Sequence, residues 1–190
     1  MHEGFGVVVL AAGAGKRMGG PKALMPVWDQ PWWRVQRDRL SAMNLTQVWA
    51  VNDHVEEAMD LNPDAPGRRV LVDATEPMFA SVAAGLRDLR EKKLRGVFVL
   101  PIDVPAPSPA VWEALARSTR CSAPLFDNRK GHPVYLPTTW IEANVIPALH
   151  DAESRLDHLI GDSLELVEVS DPDVVCNLNT QDDLLRWLNA

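Results

Sequence analysis

Apolar runs that stop abruptly at glycine or proline give this chain its rhythm. Residues 6–10, Gly-Val-Val-Val-Leu, form an unbroken β-branched run followed at once by Ala11-Ala-Gly-Ala-Gly15, the pattern of a strand buried on both faces that ends in a tight loop. Residues 96–100, Gly-Val-Phe-Val-Leu, repeat it and lead into Pro101-Ile-Asp-Val-Pro105. Residues 47–51 and 69–72 read as further strands. Between them the spacing turns helical: Trp32, Val35, Arg39 and Met43 follow Pro31, and Phe79, Val82, Leu86 and Leu89 follow Pro77. A helix over about 109–117 comes next. Residues 123–126 and 134–136 predict strands around a turn at 127–132, and residues 164–169 alternate as a strand does. Thr180 then caps a closing helix that carries Leu184, Leu185, Trp187 and Leu188. Strands alternating with helices predict an α/β fold with a mostly parallel sheet covered on both faces, and ligands at the carboxyl ends of its strands.

Composition narrows the picture without changing it. The chain has 190 residues, 46% hydrophobic and 24% charged, which suits one domain spanning residues 1–190. Its formal net charge of −7 argues against nonspecific binding to nucleic acid or to an anionic membrane, and makes any local basic cluster informative. Cys121 and Cys176 are isolated thiols, no segment approaches the roughly 20 apolar residues of a membrane span, and residues 1–10 lack the basic start of a secretory signal. These features predict a cytoplasmic protein. The adjacent Trp32 and Trp33 read as packing or as a small interface.

The densest chemistry lies in residues 10–24, Leu-Ala-Ala-Gly-Ala-Gly-Lys-Arg-Met-Gly-Gly-Pro-Lys-Ala-Leu. Small residues let the backbone approach a nucleotide, and Lys16, Arg17 and Lys22 can offset phosphate charge. Met18 occupies the third glycine position of a dinucleotide fingerprint, and Arg17 stands where a Walker loop has Ser or Thr, so neither commoner motif applies. Asp103, at a strand end between prolines, is a carboxylate where Mg²⁺ on a triphosphate could be held, although Asp-x-Pro taken alone is equally common turn chemistry. No pattern of nucleophilic catalysis appears.

The loop resembles the signature L-A-[AG]-G-x-[GS]-x-R-M-G plus lysine of the nucleotidyltransferases that include the molybdenum cofactor guanylyl- and cytidylyltransferases and, more distantly, sugar-1-phosphate nucleotidyltransferases. Leu10, Ala11, Ala12, Gly13, Gly15, Arg17, Met18, Gly19 and Lys22 supply every fixed element. In chain order the likeness continues through Met78-Phe-Ala-Ser81 with Gly85, Ile102-Asp103, Gly131-His132-Pro133-Val134 and Asn179-Thr180. Pro77 replaces a usual glycine, Asn179 a frequent aspartate, and Glu153-Ser154 the Gly-Ala of a G-D-x-G-A-R segment that Asp151 and Arg155 resemble weakly.

The resemblance implies a single-domain, three-layer αβα, Rossmann-like fold of the nucleotide-diphospho-sugar transferase type, with a mostly parallel mixed sheet. It implies Mg²⁺-dependent transfer of a nucleoside monophosphate from an NTP to a phosphorylated small-molecule acceptor, molybdopterin cofactor among the candidates. Leu10, Ala11, Ala12, Gly13, Gly15 and Ser81 would bind the nucleotide, Arg17 its phosphates, and Lys22 the α-phosphate. Asp103 and Asn179 would hold the metal, and His132 and Arg155 would face the acceptor. Ser81 can equally cap or pack. Ala11-Ala12-Gly13 and Gly-His-Pro lean toward CTP, with GTP and UTP open. A nucleotide- or cofactor-binding carrier without catalysis is the reading from a different class.

Overall fold

The computed structural model describes residues 4–15, 19–149 and 154–189. Strand β1 (Phe5–Ala11) is buried along its whole length, and its alternating side chains enter two cores: Phe5, Val7, Val9 and Ala11 on one face, Val8 and Leu10 on the other. A short hairpin, β2 (Pro26–Val27) with β3 (Gln30–Pro31), leads into α1 (Trp32–Ser41). The chain continues through β4 (Thr46–Val51), α2 (Asp53–Asp60), β5 (Arg69–Leu71), α3 (Met78–Leu89), β6 (Gly96–Pro101) and α4 (Pro109–Leu115). Strands β7 (Ser122–Phe126), β8 (Arg129–Lys130) and β9 (Val134–Pro137) follow, then a helical passage made of α5 (Thr138–Trp140), a π-helical turn (Ile141–Val145) and α6 (Ile146–Ala148). Last come α7 (Leu156–Ile160), β10 (Glu165–Glu168) and α8 (Gln181–Leu188).

The main sheet runs in the order β10-β7-β9-β6-β1-β4-β5, with β8 paired to β7. Strands β6, β1, β4 and β5 are mutually parallel, β9 opposes both β6 and β7, and β10 is again parallel to β7. This is the expected mixed α/β sheet. One face is covered by α1, α2, α4 and α8 through Trp32, Trp33, Val55, Met59, Trp112 and Leu184; the other by α3 and the passage after β9 through Phe79, Val82, Leu86, Ile141 and Val145.

Three details depart from the sequence reading. Helix α2 was not anticipated, because Val55 and Met59 are its only buried apolar residues; it is started by Asn52, whose side-chain oxygen accepts the Val55 N–H at 2.9 Å. Helix α1 starts after Pro31 as expected but ends at Ser41, short of Met43, and its Trp32 and Trp33 are core residues, the packing alternative of the two that the sequence left open. Gly85, read as part of a motif, is a packing residue: a Cβ there would lie 2.4 Å from Cγ1 of Val8, so only glycine lets α3 sit this close to β1.

Candidate active site

After β5 the chain returns across the sheet through α3 to add β6 on the far side of β1. The strand order therefore reverses between β1 and β6, and a crevice opens at their carboxyl ends, where Leu10 pairs with Pro101. Here lies a cleft of about 280 Å³ whose walls include Leu10, Ala12, Gly13, Gly15, Lys22, Ser81 and Asp103. Seven residues singled out from the sequence thus share one cavity. Gly15 has φ +60°, and a Cβ there would collide with the Gly20 carbonyl at 1.8 Å, so the loop turns back on itself only with glycine. Ala11 is the exception among the loop residues: its side chain packs in the core on the opposite face and is not part of the cleft wall. Arg17 lies outside the described residues, as do Lys16, Met18, Asp151 and Glu153.

Three segments far apart in sequence meet at Lys22. Its Nζ donates to Asp103 Oδ2 at 2.8 Å and to Asn179 Oδ1 at 2.8 Å. The Lys22 and Asp103 side chains are mostly shielded, at 16% and 25% exposure, so this ion pair is not a solvent-screened surface contact. Lys22 opens a single 3₁₀ turn, Lys22–Leu24, immediately after the glycine loop. Asn179 is held just before α8 by a capping box: Asp183 Oδ2 accepts the Asn179 and Thr180 N–H groups, and Thr180 Oγ1 accepts the Asp183 N–H. The Leu178 N–H donates to the Asp103 carbonyl at 2.8 Å, tying the two segments together.

His132 lies two residues beyond the end of β8. Burial pushes its imidazole below the ordinary value; the charge of Asp103 pulls it back up, and Lys130 adds to the lowering. The ring is uncharged at neutral pH, and its buried Nδ1 has no partner among the described residues. Arg155 is exposed, pairs with Asp157 at 2.9 Å, and lines a second cleft of about 340 Å³ that adjoins the first at Met78. Ser81 lies in the wall shared by α3 and the first cleft.

Two polar residues that the sequence reading passed over also belong here. Asn52 is buried, donates to the Ala12 carbonyl at 2.9 Å and so fixes the glycine loop against α2. Asp73, beyond β5, lines the cleft; hydrogen bonds from the Thr75 backbone N–H and hydroxyl hold its carboxyl below the usual carboxylate range. Each directly follows, or nearly follows, the end of a parallel strand, which is the signal that could have found it.

Residues 7–166 match the model of the MobA-like NTP transferase domain. The chain belongs to this family. It is a nucleotidyltransferase. A curated relative, the molybdenum cofactor guanylyltransferase of Rhodobacter capsulatus, is 31% identical over 189 residues, covering 94% of this chain and 92% of that protein. The structure of Rv0371c from Mycobacterium tuberculosis superposes with a TM-score of 0.75 at 22% identity, over 98% of each chain, and the same protein has been solved in complex with manganese (TM-score 0.65, 18% identity, 98% of each chain). Molybdopterin-guanine dinucleotide biosynthesis protein A from Archaeoglobus fulgidus gives a TM-score of 0.70 at 20% identity, over 95% of each chain. These structural neighbours share the fold. Among the described residues no helix is long and apolar enough to cross a membrane.

Proposed function

We propose that this enzyme transfers the nucleoside monophosphate of an NTP, CTP by preference, to a phosphate of a small acceptor of the molybdopterin class, releasing pyrophosphate. The observation that carries the reading is the meeting of Lys22, Asp103 and Asn179 beside the cleft. Two oxygens from distant segments converge on one cationic point, where the Lys22 ammonium now stands in. Mg²⁺ asks for one or two protein oxygens and completes its octahedron with water and substrate phosphates, so the donor set fits it. When bound, the ion neutralises charge on the triphosphate. Asp103 supplies the charged ligand, and Asn179 a neutral oxygen, directly or through water.

Lys22, released from the two oxygens, carries its ammonium to the α-phosphate, and Arg17 meets the remaining phosphates. An acceptor phosphate oxygen attacks the α-phosphorus, the bond from that phosphorus to the α–β bridging oxygen breaks, and pyrophosphate leaves with the electron pair. The attacking phosphate has a second pKa of about 6 and is already ionised at neutral pH, so no general base is needed. Lys22 and Arg17 oppose the negative charge that grows at phosphorus. The uncharged His132 and the adjoining cleft with Arg155 are assigned to the acceptor.

Leu10, Ala12, Gly13 and Ser81 form the nucleoside end of the cleft, together with Asp73. Ala11-Ala12-Gly13 and Gly131-His132-Pro133, which lean toward the cytidylyl branch, support the pyrimidine. GTP is the second reading, supported by the guanylyltransferase relative and by Asp73: guanine offers a carboxylate two adjacent N–H donors, cytosine a single amino group. The free thiols Cys121 and Cys176 accord with a cytoplasmic setting. The test is pyrophosphate release with each of the four NTPs, Mg²⁺ and a molybdopterin acceptor. The highest kcat/KM is expected with CTP; a tenfold preference for GTP moves the assignment to the second reading. Nucleotide binding without release in every combination contradicts transfer and leaves a carrier in its place.

A further inference from the structure

The segment joining β6 to α4 reads Pro101-Ile-Asp-Val-Pro-Ala-Pro-Ser-Pro109, with proline at four of nine positions. Proline has no N–H, so such a segment has few donors of its own; the Val104 N–H bonds the Pro101 carbonyl at 3.1 Å, and the carbonyls of Ile102, Val104 and Ala106 take donors from elsewhere. Helix α1 provides them as side chains. Trp32 Nε1 donates to the Ile102 carbonyl at 2.6 Å, Gln36 Nε2 to that of Val104 at 2.6 Å, and Arg39 Nε to that of Ala106 at 2.7 Å. The Ala106 N–H returns a bond to Gln36 Oε1 at 2.8 Å.

The three donors are four and three residues apart and so share one face of α1, meeting every second carbonyl of the segment. Gln36 is fully buried among apolar neighbours, a place where a polar side chain is costly unless both ends of its amide are bonded, as here. From the other side the Leu178 N–H fixes the Asp103 carbonyl at 2.8 Å. Arg39 also pairs with Asp173, which accepts from Trp187 Nε1 at 2.8 Å, so the same stripe reaches the stretch leading to Asn179.

We infer that Trp32, Gln36 and Arg39 are positioning residues for the metal-side oxygens, with Gln36 setting where Asp103 presents its carboxylate. The inference rests on the reading of Asp103 as the metal carboxylate. Outer partners that orient a ligand change metal affinity by about 10-fold or more when removed. Gln36→Met keeps the shape and deletes every hydrogen bond of the side-chain amide to the segment; Trp32→Phe removes the indole donor together with part of a buried ring, a loss of volume for which the Leu40 variant below is the control. Leu40→Ala on the same helix opens a cavity while leaving every side-chain hydrogen bond to the segment in place, and controls for general loosening of α1.

The probe is Mn²⁺ alone, titrated into the full chain and followed by electron paramagnetic resonance, alongside thermal unfolding. Gln36→Met is expected to weaken Mn²⁺ binding by about 10-fold or more and Trp32→Phe by less, while Leu40→Ala lowers Tm and leaves Mn²⁺ affinity within about 2-fold. In turnover, the Gln36 and Trp32 variants raise the metal concentration needed for half-activity while KM for the NTP stays near wild type. If Mn²⁺ binding is lost in Asp103→Asn but unchanged in both Gln36→Met and Trp32→Phe, the positioning role is wrong and the metal reading stands. If wild type binds no Mn²⁺, or Asp103→Asn binds it as well as wild type, the metal reading itself fails.

Discussion

Lys22 is a cation on which two oxygens from distant segments of the chain converge, and most of the site's logic follows from that contact. A lysine is mobile on its four-carbon stem, so on the proposed function it would hold the two oxygens together in one state and serve a phosphate in another. The two cysteines stay out of the chemistry: burial pushes the Cys121 thiol up to about 12, leaving it protonated and unreactive at neutral pH. His132 is the residue whose protonation matters near neutrality. Its imidazole is lowered by burial in the folded protein, so below pH 6.5 the unfolded chain takes up the proton first. Stability from this group is therefore complete above that pH and is lost as pH falls toward the folded value, by about 1.4 kcal/mol for each unit of difference. Denaturant unfolding of wild type and His132→Asn between pH 8 and pH 5 is expected to show the gap shifting in favour of the variant as pH drops. A gap that does not change with pH contradicts the buried neutral imidazole.

At the level of elements, the strands that carry the site were legible because burial on both faces imposes continuous apolar runs, as in residues 6–10 and 96–100. The glycine loop and Asp103 were legible for the related reason that unusual backbone needs unusual residues. Helix α2 was not, since two apolar residues among acidic ones carry little periodicity. Asp73 and Asn52 were missed because single polar residues after strands carry no motif; only the sheet order brings them to the crevice. The donor face of α1 was hidden for another reason: Trp32 and Arg39 fit the helical spacing as packing residues, and Gln36 looks like an ordinary polar position until the proline segment is laid beside it. Close packing between elements gives a prediction of its own. Gly85→Ala adds a methyl against Val8 in a central strand, and is expected to destabilise by about 1–3 kcal/mol despite the better helix propensity of alanine. Denaturant unfolding checks this, with Val8→Ala expected to relieve the cost in the double variant. A more stable Gly85→Ala would mean that α3 and β1 are not in this contact.

The molecule as a whole carries a formal net charge of −7, yet its sequence sets three basic residues, Lys16, Arg17 and Lys22, within seven positions of one glycine-rich stretch. An acidic chain that concentrates basic residues in one short stretch suits a compact anion better than a nucleic-acid backbone. The sheet reversal between β1 and β6 puts the glycine loop on one side of the crevice and Asp103 on the other, and the closing segment before α8 brings Asn179 across to both. On the proposed function, that geometry would set charge compensation around the α-phosphate end of a triphosphate, with the first cleft for the nucleoside and the adjoining one for the acceptor. The fate of label from CTP tests this most directly, with GTP run in parallel, in the presence of Mg²⁺ and a molybdopterin acceptor. Label in the α-phosphate is expected to appear on the acceptor while label in the γ-phosphate leaves as pyrophosphate. Release of γ-label as inorganic phosphate, with α-label remaining on the nucleoside diphosphate, would contradict the account.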